Sequence, residues 1–238
     1  MNEGSQIPEV TAGVVGFDLI RRLCGPAADE IGLMLRDHVR LWRMKNWVRL
    51  QKRALQFLEK EGLHSQSRLH PRLMFEIIEK GTLTEDDLLI DMWAGLLAAS
   101  CTEKGGDDSN LVFTDILARM TSFEAKLLQD VCLKAPEMYD EKTSFINAGT
   151  FLTEKSKLSP HDPEYLRVNG ALYHLTSMGL FRIVPTAEAG VRRHVSTKGG
   201  LFEITTLGLE LYARCQGWKG TISEFYKIEV SNGNLQIP

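Results

Sequence analysis

The chain lacks any pair of cysteines close enough in sequence to form a metal knuckle. Cys24, Cys101, Cys132 and Cys215 stand far apart along the 238 residues. A structural zinc site takes its ligands mostly from two short-spaced pairs, so this spacing excludes one. Scattered thiols in apolar surroundings fit buried side chains in a reducing compartment, and a cytoplasmic location is expected. No run of residues approaches the roughly 18–20 apolar positions that a membrane span needs, so none is expected. Met1-Asn2-Glu3-Gly4-Ser5 has no basic stretch, and no secretory signal is expected. The formal net charge is −3, which gives no global basic field. Any contact with nucleic acid must therefore come from a local patch.

Catalytic motifs are missing as well. There is no GxSxG and no HExxH. Gly105-Gly106 and Gly199-Gly200 do not run on into the lysine and hydroxyl of a phosphate loop. His38, His64, His70, His161, His174 and His194 include no pair four residues apart, so no helix presents two of them as metal ligands. Glu85, Asp86, Asp87 and Asp91 cluster in an acidic stretch that could hold a cation, but a solvated first turn facing the helix dipole is the simpler reading. The expectation is a non-enzymatic protein without metal or cofactor.

What is present is the composition of a globular protein, 43% hydrophobic and 25% charged. Apolar residues recur at helical spacing along most of the chain. A first helix is expected from Pro8 to Leu23, stopped by Gly25-Pro26. A long second helix runs from Ala27 to Glu61, with Trp42 and Trp47 on a broad apolar surface. A helix of that length serves as the spine of a bundle or a dimer seam, so Trp42 and Trp47 are candidates for self-association. Its cations form two rows, Arg36, Arg40 and Arg43, then Lys45, Arg49, Lys52 and Arg53; a solvated surface accounts for them. Shorter helices follow: one from Pro71 to Glu79, one capped by Thr84, one capped by Asn110, and one capped by Thr121 or Ser122. Pro136 to Thr143 reads as a linker, which divides the chain into a helical domain, 1–140, and a second domain, 141–238.

The second domain changes texture. Asp162-Pro163-Glu164 starts a helix that Gly179 ends. Leu180 to Val184 and Leu201 to Thr205 are strand candidates flanking a polar hairpin, and a last helix reaches Cys215. Helix, glycine, strand, charged hairpin, strand, helix is the order of a winged-helix-like unit. The fold class expected is therefore mainly α: an N-terminal helical bundle with one long helix, followed by a winged-helix-like unit with a small β-hairpin. Arg182, Arg192, Arg193, His194 and Lys198 concentrate charge in that hairpin and are the candidate nucleic-acid contacts. The presumed recognition helix, Tyr165 to Met178, offers Arg167, Asn169 and His174 and is poor in cations, which favours protein docking over DNA reading.

One segment carries a resemblance. Glu85-Asp86-Asp87-Leu88-Leu89-Ile90-Asp91-Met92-Trp93-Ala94-Gly95-Leu96-Leu97-Ala98-Ala99 leads an acidic turn into a Trp-Ala-x-Leu-Leu helix. This resembles a core signature of the bacterial Abi-alpha (abortive infection alpha) family. The texture of Gly25 to Gly32, and of Phe113 to Leu117 leading into Thr121 to Ala125, is similar to the same family, so the likeness covers most of the chain. It implies a role in defence against phage, acting through a protein partner or a homo-oligomer, with no catalytic residue to carry over. Trp93, Ala94, Leu96 and Leu97 match the motif and are packing residues by their chemistry. A winged-helix regulator of nucleic acid and an enzyme with an unrecognised site are the alternatives.

Overall fold

The computed structural model describes residues 40–60, 67–140, 145–146, 163–184 and 201–226. The expected first helix, Pro8 to Leu23, lies outside them, and so do the start of the second and the hairpin 185–200. The chain is mainly helical, with a small antiparallel hairpin near its C-terminal end. It divides into two compact units, Met1–Arg119 with Arg214–Lys219, and Met120–Ala213 with Gly220–Pro238.

The first unit is built on α1 (Arg40–Lys60), α2 (Pro71–Gly81), α3 (Asp87–Ala99) and α4 (Leu111–Arg119). α3 is its centre. Leu89, Ile90 and every residue from Met92 to Ala99 are buried, as expected of a helix that is apolar all round. α1 lays a buried stripe along it: Asn46, Trp47, Leu50, Gln51, Ala54 and Leu58. Leu73, Met74, Ile77 and Ile78 of α2, and Phe113, Ile116 and Leu117 of α4, complete the core. Pro71 opens α2 at a position where its missing N–H costs nothing. The cap of α3 lies two residues beyond the expected Thr84. Asp86 has extended backbone and its carboxylate accepts from the Leu89 N–H at 3.0 Å, while Thr84 Oγ1 accepts from the Asp86 N–H. Asn110 is buried and gives its side-chain amide to Ser100 Oγ at 2.9 Å.

The second unit holds α5 (Ser122–Met138), β1 (Tyr139–Asp140), β2 (Phe145–Ile146), α6 (Pro163–Ser177), β3 (Phe181–Val184), β4 (Leu201–Ile204) and most of α7 (Thr206–Cys215). α5 opens with a reciprocal capping box between Thr121 and Glu124. It runs through Pro136 to Met138, and β1 follows directly. Pro136 to Asp140, read from sequence as the start of a linker, are thus the end of a helix and one strand of a two-residue pair, and the first of the two compact units runs to Arg119. α6 ends in a Schellman turn. Gly179 sits at φ +78, its N–H reaches Thr176 O, and the Leu180 N–H reaches Leu175 O at 3.0 Å. Thr205 then closes the corner. Its N–H donates to Leu180 O, its hydroxyl donates to Gly179 O at 2.6 Å, and that hydroxyl caps α7 by accepting from the Gly208 N–H. β3 and β4 pair antiparallel in the register Phe181↔Ile204, Arg182↔Glu203, Ile183↔Phe202, Val184↔Leu201.

Candidate functional site

Among the hairpin cations, Arg182 lies on described residues, and Arg192, Arg193, His194 and Lys198 lie outside them. Arg182 faces Glu203 directly across the ladder, with Nε at 2.7 Å and a terminal nitrogen at 2.6 Å from the same carboxylate oxygen. The pair cancels its own charge at the root of the hairpin.

Three arginines of the α1 cation rows, Arg43, Arg49 and Arg53, make internal contacts, and Lys45 and Lys52 stand exposed. Arg43 donates to the carbonyls of Ile78 and Glu79 and to Thr82 Oγ1, and so satisfies groups that the end of α2 leaves open. Arg49 and Arg53 both reach Asp87 Oδ1 at 2.6 Å, and Arg53 also pairs with Asp91 at 2.8 Å. Trp42 gives its indole N–H to Glu85. All four members of the acidic cluster are therefore engaged with α1 or with the cap of α3. Trp47 is buried in the stripe against α3, so of the two tryptophans only the half-buried Trp42 borders the surface. Among the described residues, no group of three or more His, Cys, Asp or Glu is placed to hold a metal ion, and no helix is long and apolar enough to cross a membrane.

Asp87 and Asp91 sit side by side and titrate in opposite directions. The hydrogen bond from Arg53 and its charge hold Asp87 below the ordinary carboxylate range. Burial pushes Asp91 above it, although Arg53 pulls the other way. A carboxyl raised in the folded state contributes stability below its unfolded pKa and loses it as pH rises through the folded value. Asp91→Asn is therefore expected to gain stability relative to the parent at pH 7 compared with pH 3. Urea midpoints at the two values check this, and equal differences at both would contradict it. Asp87 has the reverse sign: its contribution is present above the ordinary carboxylate range and fades as pH falls.

On the second unit, α6 presents two different faces. Toward solvent it shows Leu166 at 60% exposure and Tyr173 at 47%, with Gly170 between them and open space where a Cβ would stand. Ile183 on β3 is exposed as well. Its other flank meets the start of α5: the Arg167 guanidinium lies 4.0 Å from the centre of the Phe123 ring, and His174 Nδ1 lies 2.6 Å from Glu124 Oε1. Arg167 and His174, read from sequence as possible groove contacts, are thus turned toward α5. The one sequence signal that marks Glu124 is its capping-box spacing after Thr121.

Neither curated proteins nor solved structures yield a match to the chain. The model of the family described as abortive infection alpha matches residues 45–215, from the first turns of α1 to the last residue of α7. The Trp93 signature forms the centre of the first unit, where Trp93, Ala94, Leu96 and Leu97 are all buried. With most of its length covered by that model, the chain belongs to the abortive infection alpha family.

Proposed function

We propose that this is a bacterial anti-phage defence protein, working in the cytoplasm through contact with another protein or a second copy of itself, and needing no catalytic centre for that role. The observation that carries this is the family match over residues 45–215. The surface is in keeping with it. The outward face of α6 is apolar around Leu166 and Tyr173, and Arg43, Arg49 and Arg53 of α1 are engaged in internal contacts. A face of that kind suits a protein partner better than a phosphate backbone.

The order α6, glycine corner, β3, β4, α7 supports a second reading, a winged-helix module that touches nucleic acid through its hairpin. The Arg182–Glu203 pair counts against it, because a neutralised arginine releases few counterions on binding.

Expression of the chain in a susceptible bacterium, followed by phage challenge, tests the proposal. Plaque numbers are expected to fall at least about tenfold, and Leu166→Glu/Tyr173→Glu is expected to abolish the protection while the protein stays folded. Protection that survives this pair but is lost in Arg192→Ala/Arg193→Ala, with salt-sensitive binding of the parent to DNA or RNA, would put the hairpin in first place. Undiminished plaque numbers with the parent chain would remove the defence role.

A further inference from the structure

The junction of α5 and α6 carries a group of side chains that protein docking does not use. The Glu124 carboxylate is 6% exposed and held at both oxygens. Oε2 accepts from the Thr121 N–H at 2.8 Å and from the Thr121 hydroxyl at 2.9 Å; Oε1 faces His174 Nδ1 at 2.6 Å. An ionised carboxylate only accepts, so in the neutral ring the proton sits on Nδ1 and the lone pair on Nε2. The imidazole side chain is 38% exposed, and Nε2 has no partner among the described residues. A carboxylate that fixes the tautomer and direction of an imidazole whose other nitrogen meets solvent is the arrangement of a general base.

Arg167 stands seven residues before His174 on the same helix. Seven residues make nearly two turns, so both project from one flank, about 10 Å apart along the axis. The guanidinium rests on Phe123, the neighbour of Glu124, and has no carboxylate partner among the described residues. A base and a guanidinium without a described carboxylate partner, at that distance, fit a strand that carries a hydroxyl beside each phosphate.

We propose that Glu124, His174 and Arg167 form a metal-independent centre that cleaves single-stranded RNA. His174 Nε2 takes the proton of a ribose 2′-hydroxyl. The 2′-oxygen attacks the adjacent phosphorus, the P–O2′ bond forms, and the P–O5′ bond breaks. The leaving 5′-oxygen takes a proton from water, and the imidazolium returns its proton to solvent. The products are a 2′,3′-cyclic phosphate and a 5′-hydroxyl, with no redox change and no co-reactant. His174 is the catalytic residue. Arg167, placed along the helix from it, grips a neighbouring phosphate. Glu124 is a positioning residue. This activity goes beyond the defence role and is tested apart from it.

The test uses the full chain, a fluorophore-labelled single-stranded RNA oligonucleotide of mixed sequence, excess EDTA, and a DNA oligonucleotide of the same sequence. The RNA is expected to be cut to cyclic-phosphate ends and the DNA to remain whole. His174→Asn, which keeps a donor for Glu124 but has no base, is expected to slow cleavage at least about 100-fold. Glu124→Gln is expected to lower kcat and displace the pH profile, and Arg167→Ala to raise KM more than it lowers kcat. Circular dichroism of each variant separates loss of chemistry from loss of fold. RNA left intact by the parent, DNA cut equally well, or cleavage by folded His174→Asn at the parent rate would each overturn the proposal. The oligonucleotide assay contains neither phage nor partner, so a failed plaque assay strikes the defence role alone.

Discussion

Gly95→Ala is expected to destabilise the protein by more than about 3 kcal/mol, beyond the usual 1–3 kcal/mol cost of an added methyl in a packed core. A Cβ built on Gly95 falls within the backbone carbonyl of Cys215, and it also approaches the Gly217 nitrogen at 3.1 Å. A clash with a side chain can be relieved by a change of rotamer, but this obstacle is main chain. Gly217 itself has φ +82 and lies close to Phe57, so the segment after α7 has little freedom to retreat. The segment Arg214–Lys219 belongs to the first unit, and the bare face of Gly95 is where it enters. For a domain whose whole stability is about 5–15 kcal/mol, the loss is a large share. A fall in Tm of about 10 °C or more by calorimetry checks it. Gly170→Ala is the matched control: nothing lies within 4 Å of a Cβ there, and replacing glycine inside a helix gains about 0.5–1 kcal/mol. Equal effects of the two substitutions would refute the close approach at Gly95.

The same glycine shows where sequence reading stops. The Trp-Ala-x-Leu-Leu pattern marks α3 as buried from its apolar content alone, and Trp93, Ala94, Leu96 and Leu97 are indeed interior. The unspecified position of the motif is the one whose role depends on Cys215, and no periodicity within α3 reports on a chain segment so remote. Local chemistry was readable in the same way elsewhere. Pro71 marks a helix start, Gly179 a helix stop, and Thr121 a helix cap, because each acts within a few residues of itself. Thr84 misleads for a local reason too. Asp86 offers a better-placed carboxylate to the Leu89 N–H, and the helix begins two residues later. Pro136 reads as a break, yet it stands in the last turns of α5, close to where the helix ends. Arg43, Arg49 and Arg53 read as part of a solvated surface because their partners, the last carbonyls of α2 and Asp87, lie more than thirty positions away. Glu124 and His174 are separated by 50 positions, so nothing in the order of residues announces that they touch.

Trp93→Ala is expected to cost about 3–5 kcal/mol, the range for truncating a large buried aromatic side chain. Trp93 is 2% exposed and stands beside Leu50 of α1 and Gly81 at the end of α2. Gly81 has no side chain to spare. A Cβ there would meet the indole at 3.0 Å and Leu50 at 3.1 Å. The two positions are therefore one packing decision: the tryptophan fits because α2 ends on a residue without a Cβ. That coupling separates this account from a simple loss of buried area. In the parent, Gly81→Ala pushes against the indole and is expected to destabilise. In the Trp93→Ala background the ring is gone, and the added methyl partly fills the space it left. The double variant is thus expected to be more stable than the sum of the single losses, by about 0.5–3 kcal/mol in a double-mutant cycle read from urea unfolding. Simple additivity would mean that the glycine and the indole do not touch, and that the signature tryptophan acts through buried area alone.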